Sequence, residues 1–369
     1  MHKLSAGLYK LIIKSVSIIG LGLIGGSLAK GFKENFPDIV VSAYDLPATL
    51  ETAINQKVID TKLIDPFDSL KSDLIIISLP VDHAVNIFEL LIPFLNKKQV
   101  ITDVCGIKEP FEKIWKEKSV KGIYIGTHPM TGKEKGGFDN SDILLFQNSV
   151  FIFSDLYKNR IAVKELAKIY TAFGARITFL SAKLHDEIVA YVSHLPQLLS
   201  VALVNSVAKN KNGKDFIDFA AGGFKDMTRI ASSNFNVWEP VLIENKSNII
   251  KSLQTIEKQI QNTIHNLNDE NTKKIGKDFL KSRNARSKIP QNFKGFLSPL
   301  YELNLLVEDK PGVLSYITTS MYKANINIKD IELIKIREGF GGTFRLLFES
   351  ASDVENATKI LKKITIQNK

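Results

Sequence analysis

A histidine that directly follows an apolar segment is the strongest candidate for acid–base chemistry in this sequence. His128 stands in GTHPMTGKEKGG, immediately after the strand-like residues 123–127. Proline and glycine around it predict a fixed loop, where a neutral imidazole can accept a hydroxyl proton as hydride leaves a substrate. A loop histidine with a structural hydrogen bond is the alternative that the residues alone leave open.

No pattern of histidine, cysteine or carboxylate residues in the sequence predicts a metal site. His185 and His194 are nine residues apart, which places them about half a turn out of phase on one helix. HExxH motifs, paired cysteines and carboxylate clusters are not found in the sequence. We therefore predict no bound metal.

A lone arginine is the second candidate. Arg229 lies among small and apolar residues in AAGGFKDMTRIASSN, before a predicted helix. A semi-buried guanidinium needs an anionic partner, which is either an internal carboxylate such as Asp226 or a carboxylate of the substrate. The residues alone do not decide between the two.

A glycine-rich segment predicts a binding site for a dinucleotide. Residues 16–29 read VSIIGLGLIGGSLA, which indicates a strand, a tight turn and the first turn of a helix. Such a unit presents backbone N–H groups and the positive end of a helix dipole to a diphosphate. The residues expected to bind the cofactor here are Gly20, Gly22, Leu23, Ile24 and Gly25.

The ends of three later strands complete the predicted cofactor site. Asp45 ends the second strand, 20 residues beyond Gly25, where a carboxylate accepts both ribose hydroxyls of NAD and repels the 2′-phosphate of NADP. In an open α/β sheet, ligands bind beyond the carboxyl ends of the strands. We therefore expect NAD as the cofactor, with further contacts from Ser78, Leu79, Pro80 and Asp103.

The elements that must position these residues predict three domains. Residues 1–180 alternate strand and helix patterns, which is typical of a Rossmann-type α/β domain. Residues 181–290 are all-α, with one helical pattern interrupted by Pro196 and another over residues 237–267 that predicts either a subunit contact or internal packing alone. Residues 299–369 predict a small α+β (βαββαβ, ferredoxin-like) domain, reached through a linker at 291–298.

The composition excludes several classes of protein. Of the 369 residues, 44% are hydrophobic and 24% charged, as in ordinary globular proteins, and the apolar runs are too short to predict a membrane span. The single cysteine, Cys105, fits a reducing compartment, so we expect a cytoplasmic protein. The net charge of +10 is scattered, which predicts anionic small molecules rather than nucleic acid as partners.

Five motifs in order resemble those of prephenate dehydrogenase, the bacterial enzyme of tyrosine biosynthesis. They are GLGLIGGSLA, TDVCGIK, THPMTGKEKGG, LHDEIVAYVSHLPQ and GGFKDMTRIA. The resemblance implies NAD-dependent oxidative decarboxylation of prephenate to 4-hydroxyphenylpyruvate by a homodimer. It assigns proton acceptance to His128 and the grip on a substrate carboxylate to Arg229, and it places His194 in the same cleft.

The last segment, LNLLVEDKPGVLSYITTSMYKANINI, resembles an ACT domain, a small module that commonly binds amino acids. The resemblance implies regulation by tyrosine. We expect tyrosine to bind near Asp309, Pro311 and Gly312.

This sequence departs from the family pattern at two positions that are expected to bind the substrate. Gly106 stands where many relatives carry a serine, so Cys105, a backbone N–H or water must supply the missing hydrogen bond, unless Cys105 is merely buried. Gln197 stands where many relatives carry a second histidine, and its amide can still donate to a carboxylate.

Two alternative functions stay open. Arogenate dehydrogenase is one, for which the two departures leave room, since the ammonium group of arogenate would favour an acidic residue in the cleft. The strand over 150–153 ends at Ser154 and Asp155, and the sequence does not decide which of the two faces the substrate. A sensor that binds nucleotide or amino acid without catalysis is the other. His128 and Arg229 argue against the sensor, because it needs neither.

Overall fold

The computed structural model describes residues 13–118, 120–133, 135–288, 300–308, 310–337 and 341–362. The chain forms two compact units, Met1–Ile275 and Gly276–Lys369. The predicted linker at 291–298 lies outside the described residues.

An eight-stranded sheet is the frame of the first unit. Its strands are β1 (Ser15–Ile19), β2 (Val40–Tyr44), β3 (Thr61–Lys62), β4 (Leu74–Ile77), β5 (Val100–Asp103), β6 (Ile123–Pro129), β7 (Val150–Ser154) and β8 (Arg176–Leu180). They lie in the order β3-β2-β1-β4-β5-β6-β7-β8, and neighbours are parallel except for the antiparallel pair β6–β7. The strand order reverses beside β1, which is where such sheets bind dinucleotides.

Helices cover both faces of this sheet. They are α1 (Leu23–Asn35), α2 (Pro47–Asn55), α3 (Val81–Leu91), α4 (Glu109–Glu117) and α5 (Ile161–Ala172). Along β4, Leu74 and Ile76 belong to the core on one face, and Ile75 and Ile77 to the core on the other. The predicted Rossmann-type domain is therefore confirmed, and burial on both faces explains why β4 reads as an unbroken apolar run.

One continuous helix follows the sheet. It consists of α6 (Ala182–Val189), a π-helical segment (Ala190–His194) and α7 (Leu195–Val207). Pro196 was expected to interrupt the pattern, but the chain stays helical because the wider π turn precedes the residue that lacks an N–H. The π segment also corrects the predicted phase, since His185 and His194 are both buried.

The remaining elements of the helical region follow this helix. They are β9 (Asn210–Lys211), β10 (Lys214–Asp215), α8 (Gly222–Thr228), α9 (Phe235–Glu244), α10 (Lys246–Asn268) and α11 (Thr272–Arg286), the last of which spans the boundary between the units. The pattern predicted over 237–267 is thus two helices that meet at Asn245. The side chain of Asn245 turns inward and donates to the carbonyl oxygen of Asp186, at 2.8 Å.

By length and composition alone, the 26-residue helix Ala182–Val207 could cross a membrane. The apolar runs in the sequence, by contrast, are too short to predict a membrane span. One such helix is weak evidence for a span, and this one buries His185, Asp186, His194 and Gln197 among protein partners.

The second unit contains the small α+β fold. Its elements are β11 (Tyr301–Val307), α12 (Val313–Lys323), β12 (Asp330–Arg337), β13 (Gly341–Phe348) and α13 (Ala351–Leu361). The antiparallel sheet has the order β11-β13-β12 and packs Leu346 and Phe348 against Ile317 and Leu361 of the two helices. Asp309 and the final strand predicted after α13 lie outside the described residues.

A buried ion pair organises the loop after β5. The carboxylate of Asp103 pairs with the ammonium of Lys108, and both side chains are almost fully buried. Tyr124 donates its hydroxyl to Asp103 at 2.8 Å, and the Lys108 ammonium also donates to the carbonyl oxygen of Cys105 at 2.9 Å. These bonds compensate the desolvation of both charges.

We expect Lys108→Met to lower the free energy of unfolding by about 3–5 kcal/mol, because it leaves the Asp103 carboxylate buried without its cation. Urea denaturation followed by circular dichroism measures the change. The control is Lys116→Met, since Lys116 pairs with Glu112 at 2.7 Å but is 57% exposed, and it should cost about 1 kcal/mol or less. Equal losses in the two variants would contradict the role assigned to the buried pair.

Candidate active site

The glycine turn has the geometry of a diphosphate site. Gly20 has φ +98°, and a Cβ there would overlap the carbonyl oxygen of Ser78, while a Cβ at Gly25 would overlap the carbonyl oxygen of Gly20. A Cβ at Gly22 would meet nothing within 4 Å. Gly22 is the N-cap of α1 and provides no side-chain cap, so no capping side chain occupies the first N–H groups of the helix.

Asp45 is held rigidly beside this turn. One carboxylate oxygen accepts from the backbone N–H of Leu21 and the other from that of Leu46, both at 2.6 Å. These bonds fix the orientation of the carboxylate at the end of β2. The remaining lone pairs can accept the hydroxyls of a ribose.

Two of the other predicted cofactor residues lie against the turn. The side-chain oxygen of Ser78 would be 3.1 Å from a Cβ at Gly25, and the side chain of Leu79 would be 2.9 Å from a Cβ at Gly20. Leu23 and Ile24 are half-buried at the start of α1, and the exposed Pro80 is the N-cap of α3.

The predicted cofactor contact of Asp103 is corrected by the structure. Its side chain is fully buried, and its carboxylate is bonded to Lys108, Tyr124 and the backbone N–H of Cys105. Asp103 thus stabilises the loop instead of presenting a polar group to a ligand.

The thiol of Cys105 does not replace the missing serine. It lies 3.7 Å from the carbonyl oxygen of Leu79 and belongs to a hydrophobic core, and burial raises the pKa of Cys105. Among the alternatives that the sequence left open, the structure therefore favours a buried cysteine without a role in substrate binding.

His128 lies near the end of β6, beside the loop that contains Gly106. A Cβ at Gly106 would be 3.8 Å from Nε2 of His128, so Nε2 faces the loop at Gly106. The other ring nitrogen, Nδ1, lies 2.8 Å from Nε2 of His185. Gly106 itself offers His128 no side chain.

His185 is in turn bound to a firmly anchored carboxylate. Nδ1 of His185 lies 2.6 Å from Oδ1 of Asp186. Asp186 also accepts the backbone N–H groups of Lys108 and Glu109, each at 2.8 Å, at the start of α4. One carboxylate thus joins the helix Ala182–Val207 to the nucleotide-binding part of the unit.

Burial determines the charge of the three histidines. Desolvation lowers the pKa of His128 well below its usual value, and the neighbouring His185 and Lys108 act in the same direction. Desolvation also lowers the pKa of His185, against the opposing effect of Asp186, and it lowers the pKa of His194 to about 4. At neutral pH all three imidazoles are neutral, and His128 can accept a proton.

His194 is buried nine residues beyond His185 on the same long helix. Its Nδ1 is 3.3 Å from the side-chain nitrogen of Asn245, and its ring makes an edge contact with Trp238. Asn245 also donates to the backbone carbonyl oxygen of Asp186, so one amide side chain contacts both His194 and the main chain beside His185.

Gln197 binds the turn that contains Arg229. Its amide nitrogen donates to the carbonyl oxygen of Ile230 at 3.0 Å, and its amide oxygen lies 3.4 Å from the Ser233 hydroxyl. Arg229 begins this turn and is exposed. Gln197 therefore positions the segment of Arg229, whereas the sequence predicted a direct contact with the substrate.

The acidic position considered for arogenate finds no support. The Ser154 hydroxyl donates to the buried Glu112, and Asp155 is exposed at the start of a short 3-10 turn. Among the residues that the structure describes, no group of three or more His, Cys, Asp or Glu could hold a metal ion.

Three residues with important contacts were missed from the sequence, namely His185, Asp186 and Asn245. The adjacent pair His185-Asp186 was a usable signal, since a carboxylate often orients an imidazole. For Asn245 the sequence carries no such signal, because its role depends on where two helices meet.

Fold and site together define a Rossmann-type nucleotide-binding protein with a histidine at the carboxyl-end edge of its sheet. Family models agree with this class: the nucleotide-binding domain of prephenate dehydrogenase matches residues 28–179, its dimerization domain residues 181–281, and the ACT domain residues 301–365. The chain belongs to the prephenate dehydrogenase family and ends in an ACT domain.

Individual relatives agree with the family models. Prephenate dehydrogenase of Bacillus subtilis is 29% identical over 94% of this chain and 95% of its own length. Cyclohexadienyl dehydrogenase of Zymomonas mobilis is 29% identical over 63% of this chain and 82% of its own. The structure of Aquifex aeolicus prephenate dehydrogenase in complex with hydroxyphenyl propionate and NAD⁺ is 26% identical, with TM-score 0.69 over 76% of this chain and all of that one.

We expect acid to destabilise this protein through its buried histidines. Each has a folded pKa below its unfolded value near 6.5, so the unfolded state binds more protons below that pH. Stability should fall by up to about 1.4 kcal/mol per pH unit for each such histidine, from pH 6.5 down to its folded pKa.

Urea denaturation between pH 7 and pH 5 measures this slope. His185→Gln should reduce it, whereas replacement of the exposed His83 by Gln should leave it unchanged. A slope unaffected by the change at His185 would show that this imidazole is not buried in neutral form.

Proposed function

We propose that this protein is an NAD-dependent prephenate dehydrogenase. One observation carries the proposal: Nε2 of His128 faces the loop at Gly106, while Nδ1 is at hydrogen-bond distance from His185. This loop follows β5 at the carboxyl ends of the parallel strands, and β4 separates β5 from β1, the strand that leads into the glycine turn. The nitrogen that would accept a proton is thus on the edge of the sheet that binds the cofactor.

The residues present fit NAD. Open space at Gly22, the uncapped first turn of α1 and the fixed carboxylate of Asp45 match a diphosphate and an unmodified ribose. When bound, NAD supplies the acceptor for the hydride that leaves the substrate ring. A negative charge at Asp45 disfavours the 2′-phosphate of NADP.

His128 acts as the general base of the proposed reaction. Its Nε2 accepts the proton of the ring hydroxyl while the C–H bond at the same carbon gives up hydride. The ring then loses its carboxylate as carbon dioxide, the bonding electrons enter the ring, and the ring becomes aromatic. The proton held by His128 is available to the phenolate of 4-hydroxyphenylpyruvate.

Substrate anions are the expected partners of Arg229 and His194. A guanidinium can bind a carboxylate through two hydrogen bonds. Gln197 supports this role indirectly, because it fixes the turn on which Arg229 lies. Aromatisation drives the reaction, so orientation and charge stabilisation are the main tasks of these residues.

Arogenate is the second candidate substrate. The neutral amide of Gln197, where many relatives carry an ionisable histidine, does not repel the ammonium group of arogenate. The exposed Asp155 provides no acidic partner for that group inside the protein. We therefore rank prephenate first.

A homodimer in the cytoplasm is the expected working form. Apolar side chains on α10 remain exposed in the single chain, among them Ile250, Ile260, Ile264 and Leu267. The match to a dimerization domain over residues 181–281 supports a second copy of this chain as the partner that covers them.

Tyrosine is the expected effector of the ACT domain. A cavity of about 400 Å³ lies at the start of α12 and is lined by Pro311, Gly312, Leu333 and Phe344, among others. Gly312 is the N-cap of α12 and has φ +90°. The helix N-terminus suits the carboxylate of an amino acid, and the apolar lining suits its ring.

We expect the purified protein to reduce NAD when prephenate is added, as measured by absorbance of NADH, and to use NADP poorly. His128→Asn should lower kcat by at least about 100-fold, because it removes the general base. The affinity for NAD, measured by calorimetry, should stay within about threefold.

Two outcomes would overturn this proposal. A wild-type protein that binds NAD but forms no NADH with prephenate is not a prephenate dehydrogenase, and the same assay with arogenate tests the second candidate. A His128→Asn variant with normal turnover would remove His128 from the role of base.

We expect Gly312→Asp to raise the tyrosine concentration needed for half-maximal inhibition at least about tenfold, because an added carboxylate repels that of the ligand. Inhibition is expressed relative to the uninhibited rate of each variant. Gly213→Asp is the matched control, since Gly213 also has positive φ and open space around a Cβ. Unchanged inhibition in Gly312→Asp would place the effector elsewhere.

A further inference from the structure

The orientation of His128 depends on one ring nitrogen. On the Nε2 side, Gly106 contributes no side chain, and Cys105 is bonded to Leu79 in the core. On the Nδ1 side, His185 lies at hydrogen-bond distance and nearly perpendicular to the His128 ring, at 73°. A ring free to turn about its side-chain bonds would present its lone pair to the substrate for only part of the time.

The partner of His128 is itself immobile. His185 is 1% exposed, and its Nδ1 is bonded to Asp186. Asp186 accepts three hydrogen bonds in total, two of them from the backbone at the start of α4. The position of the His185 ring is thus determined by main-chain atoms of another element.

This chain of contacts selects one tautomer. An ionised carboxylate only accepts hydrogen bonds, so Nδ1 of His185 carries the proton and donates to Asp186. Nε2 of the neutral His185 is then an acceptor, and Nδ1 of His128 must donate to it. The proton of His128 is therefore on Nδ1, which leaves the lone pair on Nε2.

We propose that His185, held by Asp186, is the positioning residue that fixes the tautomer and the ring orientation of His128. This inference rests on the proposed function, because it concerns the base of that reaction. In this role His185 contacts neither the ring hydroxyl of the substrate nor the cofactor. It makes Nε2 the basic atom and accepts a hydrogen bond that strengthens once His128 becomes an imidazolium.

The inference also explains how the chain functions with glycine at position 106. A serine there would orient His128 through Nε2, the nitrogen that must accept the proton. In this chain the orienting bond comes from the opposite nitrogen, so the Nε2 face stays open to the substrate.

Two variants of His185 separate positioning from a merely structural role. His185→Leu keeps apolar bulk but removes the acceptor, whereas His185→Gln can place a carbonyl oxygen near the former Nε2. We expect His185→Leu to lower kcat about 100-fold, with KM for prephenate and the affinity for NAD within about threefold. His185→Gln should recover at least about tenfold of that loss.

Nitrogen NMR of ¹⁵N-histidine-labelled protein tests the tautomer without any assay of turnover. In the wild type we expect His128 to carry its proton on Nδ1. In His185→Leu the Nε2–H form, which isolated imidazoles prefer, should gain population. His128→Asn identifies the signals by their loss.

The outcomes distinguish this inference from the proposed function. A wild type that does not oxidise prephenate overturns the function, while the NMR spectra still decide the tautomer. The inference is wrong if wild-type His128 carries its proton on Nε2, or if His185→Leu and His185→Gln lose equal activity. A loss confined to KM would assign His185 to substrate binding instead.

Discussion

The carboxylate of Asp186 is the interaction on which the candidate active site depends. It accepts two backbone N–H groups at the start of α4 and the imidazole of His185, which in turn meets His128. One carboxylate therefore connects α4 to the long helix and, through His185, reaches the ring of His128. The charge is tolerated in the interior because three donors compensate it.

A buried ion pair stabilises the loop after β5 independently of Asp186. The pair of Asp103 and Lys108 holds the loop after β5 from inside, while the backbone of Lys108 donates to Asp186 from the same loop. The side chain and the main chain of one residue thus serve two different carboxylates. The loop with Gly106 is fixed at both ends, which favours a preorganised site over one that forms on binding.

Periodicity and turn chemistry made much of this structure predictable from the sequence. The strand, glycine turn and helix around Gly20, the apolar run of β4 and the small α+β fold follow from local patterns. Asp103 was misassigned because sequence position puts it at a strand end, whereas only tertiary packing shows that Lys108 turns inward to meet it. Gln197 was assigned to the substrate by resemblance, but its partner, the carbonyl oxygen of Ile230, is a backbone atom that no motif displays.

The π-helical segment Ala190–His194 makes the length of the long helix critical. Each residue of an α-helix turns the chain by about 100°, so one residue more or fewer at this point would rotate α7 against α6. His194 and Gln197 would then leave the side of the helix that contains His185. A substitution in this segment changes one side chain, whereas a single insertion or deletion would move Gln197, and with it the turn of Arg229, away from the side of the helix that meets His128.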